Sequence, residues 1–204
     1  MEIEWNRGMR DKEMKTEPHS LFTKFKDQLA REFFEIEKHP HLTADQKVNQ
    51  VIRATAILCA GVAIQPIPFA DIFILTPIQA FMGQKIAKIR GIDIKEEGAM
   101  EVIKFIAGMV GLGFAAQQTA IGLFKMGLPG LGGFITIPLV AGLTYGIGKA
   151  VDLYFKNKAI GRTPSKEEII QAFRQGKREG KKIKQDDLKN IEVVNVDGKN
   201  KETY

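Results

Sequence analysis

The sequence predicts an all-α protein: a single helical domain of about six helices, with two apolar helical hairpins and a mobile basic C-terminal tail. Three observations carry this. Apolar residues recur at steps of three and four through most of the chain, the spacing of one helix face. Pro and Gly punctuate those runs at intervals suited to short connections. Only Ile191 to Val196 alternates with period two, and it sits in a polar tail.

The elements follow in order. Phe22, Phe25, Leu29, Phe33 and Ile36 form an amphipathic stripe, and His39-Pro40-His41 ends that helix, because Pro disfavours helical geometry in the residue before it. Thr43 with Gln46 makes a capping box, opening a second helix from Ala44 to about Ile64. Gln65-Pro66-Ile67-Pro68 breaks it, and a third helix runs from about Phe69 to Arg90 with Gly91 as its C-terminal cap. Glu96, Glu97 and Glu101 suit the positive end of a fourth helix that is expected to continue to about Lys125. Met126-Gly127-Leu128-Pro129-Gly130 reverses the chain into a fifth helix, about Gly132 to Lys156, despite Pro138 inside it. After Gly161 and Pro164, Ser165 with Glu168 opens a short sixth helix holding Ile169, Ile170 and Phe173. This divides the chain into a charged N-terminal segment (1–42), an apolar hairpin domain (43–162) and a basic helix with a tail (163–204).

Charge is unevenly spread. Of the net +6, a balance of +5 falls in residues 149–204, whereas Phe105 to Gly148 runs 44 residues with one charge, Lys125, and Ala54 to Met82 runs 29 with one, Asp71. One Cys excludes a disulfide scaffold and a Cys-rich metal site. Met1 to Ser20 has no apolar h-region, so no cleaved secretory signal is expected and the chain is placed on the cytosolic side.

Helices apolar nearly all round are either buried among other helices or set in lipid. Phe105 to Phe124 and Met126 to Gly148 are 20 and 23 uncharged residues, each long enough to span a membrane as a helix. Basic groups gather at the open hairpin ends (Lys47, Arg53, Lys85, Lys88, Arg90, Lys104, Lys149, Lys156, Lys158 and Arg162), while both tips are nearly neutral. In a membrane this puts both termini in the cytoplasm. The alternative is a soluble cytoplasmic bundle whose charged first and sixth helices cover an apolar core. Gly142 and Gly146 have the spacing that lets one helix seat closely on another. Gly176, on a sixth helix expected to be exposed, should tolerate a side chain.

The residues from Gln65-Pro66-Ile67-Pro68-Phe69-Ala70-Asp71 to Met82, with Lys88-Ile89-Arg90-Gly91-Ile92-Asp93, form one half of a recognisable pattern. Leu128-Pro129-Gly130-Leu131-Gly132, Gly142-Leu143-Thr144-Tyr145-Gly146-Ile147-Gly148 and Tyr154-Phe155 form the other. Over about residues 45–160 the chain resembles the bacterial domain of unknown function 697, often found C-terminal to Era-like GTPase domains and in proteins predicted to lie in the inner membrane. The resemblance implies an α-helical, membrane-linked partner of GTPase modules. The chain has no G-x-x-x-x-G-K-[ST] loop to cradle phosphates, so any GTPase involved is expected to be a separate polypeptide.

Candidate sites are few. Asp71 reads either as a carboxylate facing a cavity or a partner cation, or as an early-turn carboxylate bonded to free backbone N–H groups. His39 and His41 flank a Pro without the further ligands a metal needs, and Cys59 reads as a buried structural thiol. No catalytic constellation stands out, so no enzymatic activity and no cofactor are expected. Arg174, Lys177, Arg178, Lys181, Lys182 and Lys184 place six basic groups in 11 residues, opposed only by Glu179. Beside apolar hairpins this run reads either as an anionic-lipid contact or simply as a soluble, self-repelling tail. Nucleic-acid binding is disfavoured, because aromatic residues do not interleave and no recognition motif is present. The first reading is a non-enzymatic, membrane-associated accessory or anchor of an Era-like GTPase, with self-association open. The others are a soluble helical adaptor and a triggered pore-forming protein.

Overall fold

The computed structural model describes residues 18–63, 74–111 and 132–188. Six α-helices and one 3-10 turn make up the described chain, with no strand among these residues. Helix α1 spans Pro18–Lys38, α2 Ala44–Ala63, α3 Thr76–Ile89, α4 Glu96–Val110, α5 Gly132–Lys158 and α6 Lys166–Gly180; the 3-10 turn is Gln185–Leu188. The all-α expectation holds.

Local chemistry sets most of the ends. At α2 the Thr43 N–H donates to Gln46 Oε1 at 2.9 Å and the Gln46 N–H to Thr43 Oγ1 at 3.2 Å, the reciprocal capping box. Ser165 and Glu168 repeat it at α6, at 2.8 and 3.2 Å. Helix α3 closes where Gly91, at φ +78°, lets the Ile92 N–H reach back to the Ala87 carbonyl at 2.9 Å. The left-handed conformation needed there is one glycine adopts without a Cβ clash.

One end departs from the sequence reading. Helix α4 stops at Val110, not near Lys125, because Gly111 takes φ +90° and ψ 176°, a backbone conformation essentially restricted to glycine. The Phe105–Phe124 stretch is therefore not one continuous helix. Helix α5 enters the described chain at Gly132, and its charges resume at Lys149. Among the described residues no helix is long and apolar enough to cross a membrane.

Helix α5 is the centre of the bundle and touches α2, α3, α4 and α6. From Ala141 to Ala150 every residue is buried except Tyr145 and Lys149, which are half-buried. Its Gly148 seats α2 closely, since a Cβ there would stand 2.7 Å from Ile52 Cγ1. Helix α1 lies across α2 and α3. Its stripe of Phe25, Leu29, Phe33 and Ile36 is buried as expected, with Phe33 stacked on Phe81 at 5.4 Å. Each such side chain contributes about 1.5–3 kcal/mol through removal from water. One polar pair interrupts the core, where buried Gln79 donates through Nε2 to Thr144 Oγ1 at 3.3 Å.

Candidate functional site

Helix α6 is strongly two-faced. Ile169, Phe173, Gly176 and Gly180 recur at steps of three and four and all are buried, so this face lies on α5. The expected close approach at Gly142 and Gly146 is present, and its partner is α6. A Cβ on Gly146 would stand 2.9 Å from the carbonyl oxygen of Phe173, and one on Gly142 would stand 3.0 Å from that of Lys177. The other half of the seam is Gly176 and Gly180, where a Cβ would meet the Tyr145 carbonyl oxygen at 2.7 Å and that of Ala141 at 2.5 Å. The expectation of an exposed, permissive Gly176 is thereby corrected. The four-residue spacing of Gly176 and Gly180, on the face of Ile169 and Phe173, was the available signal.

The flank and outer face of α6 are basic. Arg174, Lys177, Arg178 and Lys181 also recur at steps of three and four, and Lys182 and Lys184 follow. All are exposed except Lys177, which is half-buried. Burial, and secondarily the neighbouring Lys181 charge, holds the Lys177 ammonium below its ordinary lysine value.

The structure treats the basic residues of the open hairpin ends differently. The ten groups at the open ends of the sequence hairpins are all engaged within the chain. Glu37 receives Lys88 at 2.6 Å and Lys85 at 3.8 Å, and the Lys47 ammonium donates to its backbone carbonyl at 2.7 Å. Arg90 holds Asp152 through two hydrogen bonds, at 2.7 and 2.9 Å, and Asp45 at 2.7 Å. Lys156 shares Asp45 at 3.3 Å, Lys149 meets Glu179 at 3.4 Å and Arg53 meets Asp187 at 2.7 Å. Lys104 pairs with Glu101, Arg162 with Glu168, and the Lys158 ammonium lies over the Tyr154 ring. By contrast, Arg174, Arg178, Lys181, Lys182 and Lys184 enter no ion pair among the described residues.

The Arg90 cluster had no local signal, because 62 residues separate Arg90 from Asp152. Its side chain is 9% exposed and ties the end of α3 to α2 and α5. Among the described residues no group of three His, Cys, Asp or Glu side chains gathers as a metal site would need. Cys59 is fully buried, as expected. Pro66, Pro68, Asp71, Pro129 and Gly130, the hairpin tips and Lys125 lie outside the described residues.

The chain after Gly180, expected to be mobile from that point, is docked as far as Leu188. Ile183 and Leu188 are 4% and 7% exposed and pack on Ala56, Ala60, Ile137 and Ala141. That packing needs contacts with two distant helices, which the polar composition of the segment does not announce.

A two-faced helix held on a central apolar helix by glycine contacts defines a helical module with a charged outer surface. The chain belongs to the family described as Domain of unknown function (DUF697), which matches residues 28–179. The match runs beyond the 45–160 expected, taking in half of α1 and nearly all of α6. No curated protein and no solved structure matches the chain.

Proposed function

We propose that this protein is a non-enzymatic accessory module that holds to the anionic cytoplasmic face of a membrane through the outer face of α6, as an anchor for an Era-like GTPase. The supporting observation is the division of its basic residues. Ten at the open hairpin ends are matched by carboxylates, carbonyls or an aromatic ring of the same chain, whereas Arg174, Arg178, Lys181, Lys182 and Lys184 are exposed and enter no ion pair among the described residues. Lys24, Arg31, Lys95 and Lys166 are likewise exposed and in no ion pair there, but they are scattered, while these five fall within 11 residues. Each such group near an anionic bilayer contributes up to about 1 kcal/mol of binding. The glycine seam fixes the helix so that Arg174 and Arg178 are turned to solvent, while the stems of Lys177 and Lys181 lie along the edge of the seam beside Gly142.

Flotation with vesicles tests the surface. Binding to phosphatidylcholine vesicles that contain phosphatidylglycerol, released by salt and absent without the anionic lipid, is the expected result. Protein that stays at the bottom of every gradient would overturn the reading. Purification from the native source in mild detergent tests the partner, and a preparation free of any GTPase would remove that part of the proposal.

A soluble helical adaptor is the second reading. It draws on the lack, among the described residues, of a helix long and apolar enough to cross a membrane. It predicts a cooperative thermal transition in detergent-free buffer together with no flotation.

A further inference from the structure

The segment that follows α6 carries opposed charges on one short turn. Lys181, Lys182 and Lys184 are exposed, and Ile183 between them is buried. The chain then turns, the Asp187 N–H donating to the Lys184 carbonyl at 3.1 Å while the Lys184 N–H donates to Asp187 Oδ2 at 2.8 Å. The other carboxylate oxygen accepts from Arg53 Nη2 on α2 at 2.7 Å. Beneath, Ile183 and Leu188 close a small cluster with Ala56, Ala60, Ile137 and Ala141, separate from the main core. Alanines offer little area, and the Arg53 side chain is 54% exposed, so the ion pair is open to screening and exchange.

An anionic surface acts on the lysines of this segment and on the Asp187–Arg53 pair at once. It attracts Lys182, Lys184 and Arg53 and repels Asp187. In water the Asp187 carboxylate occupies the place on Arg53 that a lipid phosphate would take. We propose that residues 181–188 are a releasable strap, closed by the Asp187–Arg53 pair and opened when the phosphate of an anionic lipid replaces Asp187 on Arg53. This rests on the membrane-surface reading of α6. Once free, Ile183 and Leu188 enter the headgroup region beside the lysines, as apolar residues of an interfacial segment do.

The test is hydrogen exchange on the full chain, with vesicles of phosphatidylcholine alone or mixed with phosphatidylglycerol. On the mixed vesicles the amides of residues 183–187 are expected to lose protection while those of α6 keep it. Bound protein whose strap stays protected would overturn the strap and leave the surface reading standing. Failure to bind mixed vesicles at all would overturn both. Two variants remove one negative charge each, Asp187→Asn at the strap and Glu101→Gln at an exposed pair on α4. Asp187→Asn is expected to expose the strap amides without lipid and to bind up to about five-fold more tightly than Glu101→Gln, the equivalent of one exposed ion pair. Equal binding by the two, or a strap as protected as in the unaltered chain, would sink the proposal.

Discussion

Gly176 of α6 and Gly146 of α5 lie back to back: a Cβ on Gly176 would stand 2.9 Å from the Cα of Gly146. Backbone atoms stand in the space on both sides, beside the Lys149 and Phe173 side chains, so the two helices must separate to admit one. Leu at either position is expected to lower stability by about 1–3 kcal/mol or more, the usual scale of overpacking. Thermal melts of Gly146→Leu and Gly176→Leu check it, and a variant melting at the original temperature would mean that the seam is looser than drawn.

Gly108 is the useful contrast. It lies inside α4, and a Cβ there would meet nothing within 4 Å. Gly108→Ala should therefore raise stability by up to about 1 kcal/mol, because alanine favours the helix and narrows the unfolded ensemble. The same melts read this out with the opposite sign.

Arg90 clamps three helices through a two-pronged bond to Asp152 and a third contact to Asp45. Arg90→Met would strand Asp152, 19% exposed, at a cost of about 2–4 kcal/mol. Arg90→Lys keeps the charge and loses the fork, so it should fall between that variant and the original. Urea midpoints at constant slope give the order, and equal midpoints for Met and Lys would show that the fork geometry is immaterial.

Acid should unfold the bundle through specific carboxylates. The hydrogen bond from Lys88 chiefly, with Lys85 and Lys47 nearby, holds Glu37 below its ordinary 4.5. Arg90 first, and Lys156 next, hold Asp45 below 3.8. Depressed folded values mean that the unfolded chain binds more protons in this range. The stabilisation is therefore complete above the unfolded values and lost as pH falls through the folded ones. The melting-temperature gap between the original protein and Glu37→Gln should shrink from pH 7 to pH 3; a constant gap would refute the assignment.

Neutralising Arg174, Arg178 and Lys182 with Gln should leave the fold nearly unchanged, each exposed site shifting stability by about 0.5 kcal/mol at most. Binding to phosphatidylglycerol vesicles should fall by up to about five-fold per group, the equivalent of about 1 kcal/mol each. A triple variant that binds as before would place the contact elsewhere on the molecule.

Helix ends were legible in the sequence where the controlling groups lie within a few residues. The Thr43–Gln46 and Ser165–Glu168 boxes, the Gly91 cap and the buried stripe of α1 all depend on local geometry and a 3.6-residue period. Gly111 shows the limit even of local reading, since a glycine in an apolar run permits both a continuing helix and the φ of +90° that ends one. Which faces meet was decided by tertiary packing alone. Spacing marked Gly142 and Gly146 as a place of close approach, but only the fold set Gly176 and Gly180 against them. Arg90, Asp45 and Asp152 come together because three helices converge, and the strap is held by Arg53, 134 residues before Asp187. Helical periodicity is a short-range property of the backbone, whereas the pairing of faces depends on how all the helices fill one core, which no single stretch of chain contains.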